Sequence, residues 1–188
     1  SLGLQLPSPA PQQTGLSRRA CTSAAAAALA AAALPPLAAN ARPEGVNKPE
    51  LLPSYQTNVI DLERFLTSGQ VKAVDTQLAA LEKKTGVKLR LLCQQYPNTP
   101  GLAIKDYWKV DDNSIIMVAD KGSKGAANML NFNVGSNVEL QIAPRVFSGL
   151  RNIFGGKQYR SNGDDVVIES TIDAICTCLR SEDGGCPD

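Results

Sequence analysis

The spacing of hydrophobic positions changes along the chain, and each spacing predicts a different element. Over Gly69–Thr85, apolar residues recur every three or four positions, which predicts an amphipathic helix with Ser68 as its N-cap and Gly86 as its C-terminal stop. The next segment, Val87–Cys93, alternates and then becomes fully apolar, which predicts a strand. A helix followed directly by a strand is the first sign of a mixed fold.

Helices and strands continue to alternate through the rest of the chain. This order predicts the α/β class, with one α/β/α sandwich around a small mixed, partly parallel sheet over residues 55–180. The further predicted elements are helices at Gly101–Trp108, Val146–Phe154 and Asp164–Leu179, and strands at Ser114–Ala119 and Met129–Val134.

The first 41 residues differ in kind from this domain. Their only charged side chains are Arg18 and Arg19, and every acidic residue of the chain follows them. A stretch rich in Ser, Pro and Gln that lacks acids is typical of organellar transit peptides. The Arg pair precedes the weakly hydrophobic, Ala-rich run Ala20–Ala33, as in twin-arginine signals.

The end of this segment has the form of a cleavage site. Ala39-Asn40-Ala41 places small residues at both recognition positions, so we expect cleavage before Arg42. Residues 1–41 are therefore predicted to be a cleavable bipartite plastid transit and twin-arginine thylakoid signal. The alternative is an Ala/Pro-rich low-complexity linker. A membrane span is not predicted, because the apolar run is shorter than the ~20 residues that a bilayer requires.

Composition limits what the remaining 147 residues can do. They carry 17 basic and 18 acidic side chains, a formal charge of −1, which argues against nucleic acid or anionic lipid as a partner. The chain has no histidine, which excludes Ser-His-Asp catalysis and His-ligated zinc. Around the domain, residues 42–54 are predicted to be an extended leader and residues 181–188 a flexible tail.

Three carboxylates are the candidate metal ligands. Asp111 and Asp112 directly precede a buried strand, and Asp61 precedes the first helix. Carboxylates that converge at loop ends could hold a hard cation such as calcium, and that cation could polarise a phosphate ester. The alternative is that all three are solvated turn or capping residues. No phosphatase motif is present in the sequence, so no catalytic residue is assigned and no cofactor is required.

The cysteines suggest a covalent clasp at the C-terminus. Cys176 and Cys178 are two residues apart on a predicted helix and point about 200° apart, so they cannot bond to each other there. Cys186 could reach either of them, and a Cys178–Cys186 disulfide is the predicted pair. Cys93 is predicted to be a core residue.

The order of these elements resembles the TPM-domain family over roughly Val59 to Leu179. The resemblance is carried by Ile60-Asp61 leading to Phe65-Leu66-Thr67-Ser68, by Leu81-Glu82-Lys83-Lys84-Thr85-Gly86 at the helix end, by Asn113 before the Ile-rich strand, and by Asn133-Val134-Gly135. Within the family, the chain is most similar to the fifteen-kilodalton thylakoid lumen proteins of plants and green algae. This agrees with the targeting segment.

The resemblance implies a soluble auxiliary protein of the chloroplast thylakoid lumen. Family members are implicated in photosystem II assembly and repair, so docking on the lumenal face of photosystem II is expected, with photosystem I less favoured. Some members are described as acid phosphatases or as calcium-binding, which gives the two alternative functions. The chain departs from its relatives in having no membrane anchor after the domain, and in having Asp112-Asn113-Ser114 where they often have an Asn-Asn-Gly turn.

Overall fold

The structure is a computed structural model that describes residues 45–122, 128–181 and 186. The predicted targeting segment at residues 1–41 lies outside the described residues, as does most of the predicted tail. The elements of the described part are strands β1 (Val59–Asp61), β2 (Lys88–Gln94), β3 (Ser114–Asp120) and β4 (Leu130–Val134), and helices α1 (Ser68–Thr85), α2 (Ala103–Trp108), α3 (Ser136–Glu139), α4 (Pro144–Phe154), α5 (Lys157–Arg160) and α6 (Asp164–Arg180).

The four strands form one mixed sheet in the order β1-β2-β3-β4. The first three strands run parallel, with Ile60 opposite Leu92 and Leu92 opposite Val118, while β4 pairs antiparallel to β3. The predicted partly parallel sheet is therefore confirmed. The prediction did not include β1, because a strand of three residues is too short to show a period.

The start of α1 corrects one predicted residue. Thr67, and not Ser68, is the N-cap: its hydroxyl accepts a hydrogen bond from the Gln70 backbone N–H at 3.3 Å, and the Thr67 N–H donates to Gln70 Oε1 at 2.8 Å. This reciprocal pair is a capping box, which requires Gln or Glu three residues after the cap. At the other end Gly86 adopts φ 74°, which confirms it as the helix stop.

Helices cover both faces of the sheet, as the predicted sandwich requires. One face packs against α1, α4 and α6 and forms the larger core, which includes Leu78, Leu91 and Met117. The other face packs against α2 through Ile104 and Trp108. Side chains on neighbouring strand positions point to opposite faces, so the fully apolar runs in β2 and β3 are explained by burial on both sides.

Helix bounds differ from the predicted ones where glycine or proline intervenes. Gly101 has φ 58°, a conformation that a helix cannot contain, and α2 begins only at Ala103. Pro144 opens α4 at a position where its missing N–H costs no hydrogen bond. The single-turn helices α3 and α5 were not predicted. None of the described helices combines the length and apolarity needed to cross a membrane.

The leader packs against the domain. Within it, Pro49–Leu51 forms one turn of 3-10 helix, and the Lys48 N–H donates to the Thr99 carbonyl at 3.1 Å. Further along, Trp108 Nε1 donates to the Thr57 carbonyl at 2.7 Å. These bonds place residues 48–57 alongside α2 and lead the chain into β1.

The predicted clasp between Cys178 and Cys186 is present and anchors residue 186 to the end of α6. Cys93 and Cys176 are free thiols buried in the core, which confirms the core assignment of Cys93. Burial raises the pKa of both thiols, and for Cys93 the neighbouring carboxylates of Asp61 and Asp164 raise it further. Both side chains therefore stay protonated and unreactive in the folded protein.

Candidate functional site

Asp61 lies at the carboxyl edge of the three parallel strands. One of its oxygens accepts a hydrogen bond from the Phe65 N–H at 3.1 Å and the other from the Leu66 N–H at 2.9 Å. These two bonds fix the loop between β1 and α1, in which Arg64 has φ 56°. In the described structure, Asp61 therefore acts as the residue that shapes this loop.

Asp111 and its neighbour Asp112 lie just before β3. The Asp111 carboxylate accepts hydrogen bonds from Lys88 Nζ at 2.5 Å and from Ser114 Oγ at 2.7 Å. The Lys88 bond, followed by the Ser114 bond, lowers the pKa of Asp111 to about 2. Asp112 uses its carbonyl oxygen to accept from the Asn137 N–H at 3.0 Å.

The structure does not bring the three predicted metal ligands together. Asp61 follows β1, whereas Asp111 and Asp112 precede β3, and these parallel strands place their beginnings and ends at opposite edges. The length of β3 separates the two edges by about 20 Å. Among the described residues, no three acidic, cysteine or histidine side chains are grouped so that they could hold a metal ion. Calcium binding by Asp61 alone at one edge, or by Asp111 and Asp112 at the other, stays a prediction.

The carboxyl edge holds a second acidic residue, Asp120, which the sequence analysis did not select. Its carboxylate accepts hydrogen bonds from Gln94 Nε2 at 2.9 Å, the Tyr96 N–H at 3.2 Å and the Gly122 N–H at 2.7 Å. These bonds tie the end of β3 to the turn that follows β2. No sequence motif indicates that Asp120 links these two segments. The link follows from the pairing of β2 with β3, which places Asp120 opposite Gln94.

Asp164 lies near the same edge, at the first position of α6. Its carboxylate forms an ion pair with Lys121, and the Lys121 ammonium lies 4.9 Å from the centre of the Phe65 ring. The pair joins the end of β3 to the start of α6. The carboxylates of Asp61, Asp120 and Asp164 thus all have protein partners, and they serve the architecture of this edge.

A groove of about 570 Å³ runs alongside β1, between the leader and the start of α1. β1 is an outer strand of the sheet. The Asn58 carbonyl and the Leu62 N–H bond to β2, so the main-chain groups of Val59 and Asp61 point away from β2. The Val59 N–H donates to Thr57 Oγ1 at 3.3 Å, and the Val59 carbonyl accepts from the same hydroxyl at 3.0 Å. The apolar side chains that line the groove include Leu52, Tyr55, Ile60, Leu62, Leu66 and Val71.

The groove is lined by one large exposed hydrophobic side chain, Tyr55, and by the exposed Arg64. Tyr55 is 70% exposed, while its carbonyl accepts a hydrogen bond from the Tyr107 hydroxyl. The backbone at Tyr55 is therefore held and its ring is free for contact. The sequence did not predict the groove, because its walls come from the unpredicted strand β1 and from a leader that was predicted only to be extended.

Replacing Lys88 with methionine should destabilise the protein only where Asp111 is ionised. The folded pKa of Asp111 is depressed, so its contribution to stability is present above its ordinary pKa of 3.8 and is lost as pH falls through about 2. Both side chains are partly exposed, so we expect a loss below about 1 kcal/mol at neutral pH.

Urea unfolding measured at neutral and strongly acidic pH tests this expectation. Lys105→Met, which removes an exposed lysine that pairs with no carboxylate in the described part of the chain, is the control. A destabilisation by Lys88→Met that is the same at both pH values would contradict the assigned role of the pair.

Comparison with known proteins identifies the compartment. No protein-family profile matches the chain. The chain is 50% identical over 141 residues to the chloroplastic thylakoid lumenal 15.0 kDa protein 2 of Arabidopsis thaliana. It is a homologue of that lumenal protein. The match covers 74% of this chain and 62% of the relative's length. The predicted resemblance to the fifteen-kilodalton lumen proteins and the predicted location in the chloroplast thylakoid lumen are both confirmed.

A solved structure confirms the fold. The solution NMR structure of the N-terminal domain of a protein from P. gingivalis superposes with a TM-score of 0.57, covering 70% of this chain and 90% of that domain. The two sequences are 17% identical, so the likeness concerns the fold alone. The predicted α/β fold is thereby confirmed.

Proposed function

We propose that this lumenal protein docks on the lumenal face of photosystem II and serves in its assembly, repair or stabilisation. The thylakoid-lumen homologue supports an auxiliary role in that compartment. The resemblance to TPM-domain lumen proteins favours photosystem II, with photosystem I as the second choice. Docking requires a surface that the folded domain leaves uncovered.

The groove alongside β1 is the observation that carries the proposal. It combines apolar walls, the exposed ring of Tyr55, and a strand edge that no described strand pairs with. An extended peptide can bind such an edge through main-chain hydrogen bonds to Asp61 and, where it displaces the Thr57 hydroxyl, to Val59, while its side chains enter the neighbouring groove. The occupant that fits is an extended, apolar lumenal segment of a photosystem subunit.

Catalysis is the less favoured role, because most of the carboxylates at the strand ends are already engaged. Asp61, Asp111 and Asp120 each accept at least two hydrogen bonds from the protein. Using any of them as a metal ligand or a base would break bonds that hold the β1–α1 loop or the ends of β3. A binding role needs no such rearrangement.

Native gel electrophoresis of thylakoids tests the docking. We expect the mature protein to migrate with photosystem II, and we expect Tyr55→Ser to reduce that association about tenfold, as loss of an aromatic anchor does at protein interfaces. Leu102→Ser is the matched control, because Leu102 is 60% exposed and lies away from the groove at the N-cap of α2. Its association should equal that of the unmodified protein.

Two results would count against this function. Migration with photosystem I would show that the partner is photosystem I and not photosystem II. Recovery of the protein only in the free lumenal pool, together with phosphate-ester turnover that Asp112→Asn abolishes, would favour the phosphatase alternative.

A further inference from the structure

The near-neutral total charge conceals a strongly basic stretch. Residues 140–163, which contain α4 and α5, hold four cationic side chains and no carboxylate. The other described residues hold 11 basic and 14 acidic side chains, a formal charge of −3. The four cations are Arg145, Arg151, Lys157 and Arg160. Together with the exposed Ile153 they are here called the α4–α5 surface.

The fold turns this stretch toward solvent. α4 buries Phe147 and Leu150 in the larger core, which leaves Arg145 and Arg151 exposed. Lys157 in α5 is also exposed. The apolar side of α4 packs against β4 and α6. The cations therefore lie on the opposite, solvent-facing side.

The cations of this surface have no partner among the described residues. Elsewhere, Lys88 pairs with Asp111, Arg90 with Glu82 and Lys121 with Asp164. None of the four cations on the α4–α5 surface makes an ion pair or a side-chain hydrogen bond in the same part of the structure. Other exposed cations, such as Lys105, also make no ion pair in this part of the structure, so the four are distinguished by sharing a stretch that holds no carboxylate.

One apolar side chain accompanies the charges. Ile153 is 51% exposed and lies beside Tyr159 in a shallow pocket formed by the end of α4 and by α5. Lys157 and Arg160 line a second shallow pocket with Ser161 and with the ion pair of Lys121 and Asp164, whose charges offset each other. A few apolar contacts within a polar, charged rim are the ordinary composition of a protein interface.

We propose that the α4–α5 surface binds an acidic patch on the protein partner. The inference rests on the proposed docking function and adds the chemistry of the partner's surface, which must present clustered Asp and Glu side chains. Three of the four cations are arginines, whose planar guanidinium binds carboxylates through two parallel hydrogen bonds. Complementary charges of this kind steer association and fix orientation, while the groove alongside β1 supplies apolar contact.

A protein surface is favoured over an anionic membrane. A helix that lies on a membrane exposes a broad apolar face for insertion between lipids. Here the apolar face of α4 is used by the core, and the two large apolar side chains of residues 140–163 that are more than half exposed, Leu140 before α4 and Ile153 near its end, do not form a broad apolar face. The surface therefore offers charge with little to insert.

A double charge reversal, Arg151→Glu with Lys157→Glu, tests the inference on the mature protein. The control is Lys83→Glu with Lys84→Glu, which changes the net charge equally at exposed positions of α1. The first probe is a column carrying poly-glutamate. We expect the unmodified protein and the control to be retained at low salt and released by high salt, and the test variant to pass through. Thermal unfolding of each variant checks that the fold is intact.

The second probe is purified photosystem II. We expect the test variant to lose about tenfold or more in binding and most of the salt dependence, with the control unchanged. If the unmodified protein binds poly-glutamate but neither photosystem, the proposed docking on a photosystem is contradicted. The inference that the α4–α5 surface binds acidic side chains is then still supported. Binding to photosystem II that the test variant leaves intact, equal losses in both variants, or preferential binding to vesicles of anionic lipid would overturn the inference.

Discussion

Replacing Leu78 with alanine should lower the free energy of unfolding by about 2–5 kcal/mol. Leu78 lies on the buried face of α1, is 0% exposed, and belongs to the larger core between the helices and the sheet. The substitution removes three carbon atoms from a site surrounded by packed side chains, so the transfer free energy is lost and a cavity remains. Urea unfolding followed by circular dichroism measures the change.

Leu140→Ala provides the comparison. Leu140 is 87% exposed, and the same substitution there should change the free energy of unfolding by no more than about 0.5 kcal/mol. Equal effects at the two sites would mean that α1 does not pack against the sheet as described. The groove would then also be in doubt, since α1 forms one of its walls.

Removing the disulfide with Cys178→Ala and Cys186→Ala should cost about 2.5 kcal/mol. The bond closes a loop across a sequence separation of 8, and the loss of unfolded-chain entropy in a loop of that size has this magnitude. Alanine is preferred to serine because Cys178 is buried and a hydroxyl there would need a partner. Differential scanning calorimetry at matched protein concentration measures the loss.

A reductant separates the effect of losing the disulfide bond from the effect of replacing the two cysteine side chains. It should lower the melting temperature of the unmodified protein toward that of the double variant and leave the double variant unchanged. If the reductant has no effect on either protein, the bond makes no contribution to stability.

The sequence predicted most of the fold because the signals were local. Leucine and valine spacing marked α1, and the apolar runs of β2 and β3 were long enough to indicate burial on both faces. β1 escaped detection because three residues carry no period, and it becomes a strand only through pairing with β2. Likewise, the choice between Thr67 and Ser68 as N-cap depended on Gln70, whose side chain completes the capping box.

The candidate site was harder to predict because it depends on strand direction. Asp61 and Asp111 both flank strands, but whether they meet depends on which ends of the strands share an edge, and that requires the order and direction of the sheet. The basic α4–α5 surface was detectable in the sequence as a stretch without acidic residues. The net charge of the whole domain did not show it, because acidic residues elsewhere cancel the local positive charge. Local charge, taken element by element, would have found it.

The two buried thiols give the protein an internal reporter of its own opening. Cys93 lies on the inner strand β2, opposite Asp61, whereas Cys176 lies on α6 and also contacts Gln77 of α1. A thiol-specific reagent can reach Cys176 when α6 alone detaches, whereas Cys93 faces a helix layer that also includes α1 and α4 and needs a wider opening of that layer. The ratio of their labelling rates therefore measures how far departure of the last helix precedes global unfolding.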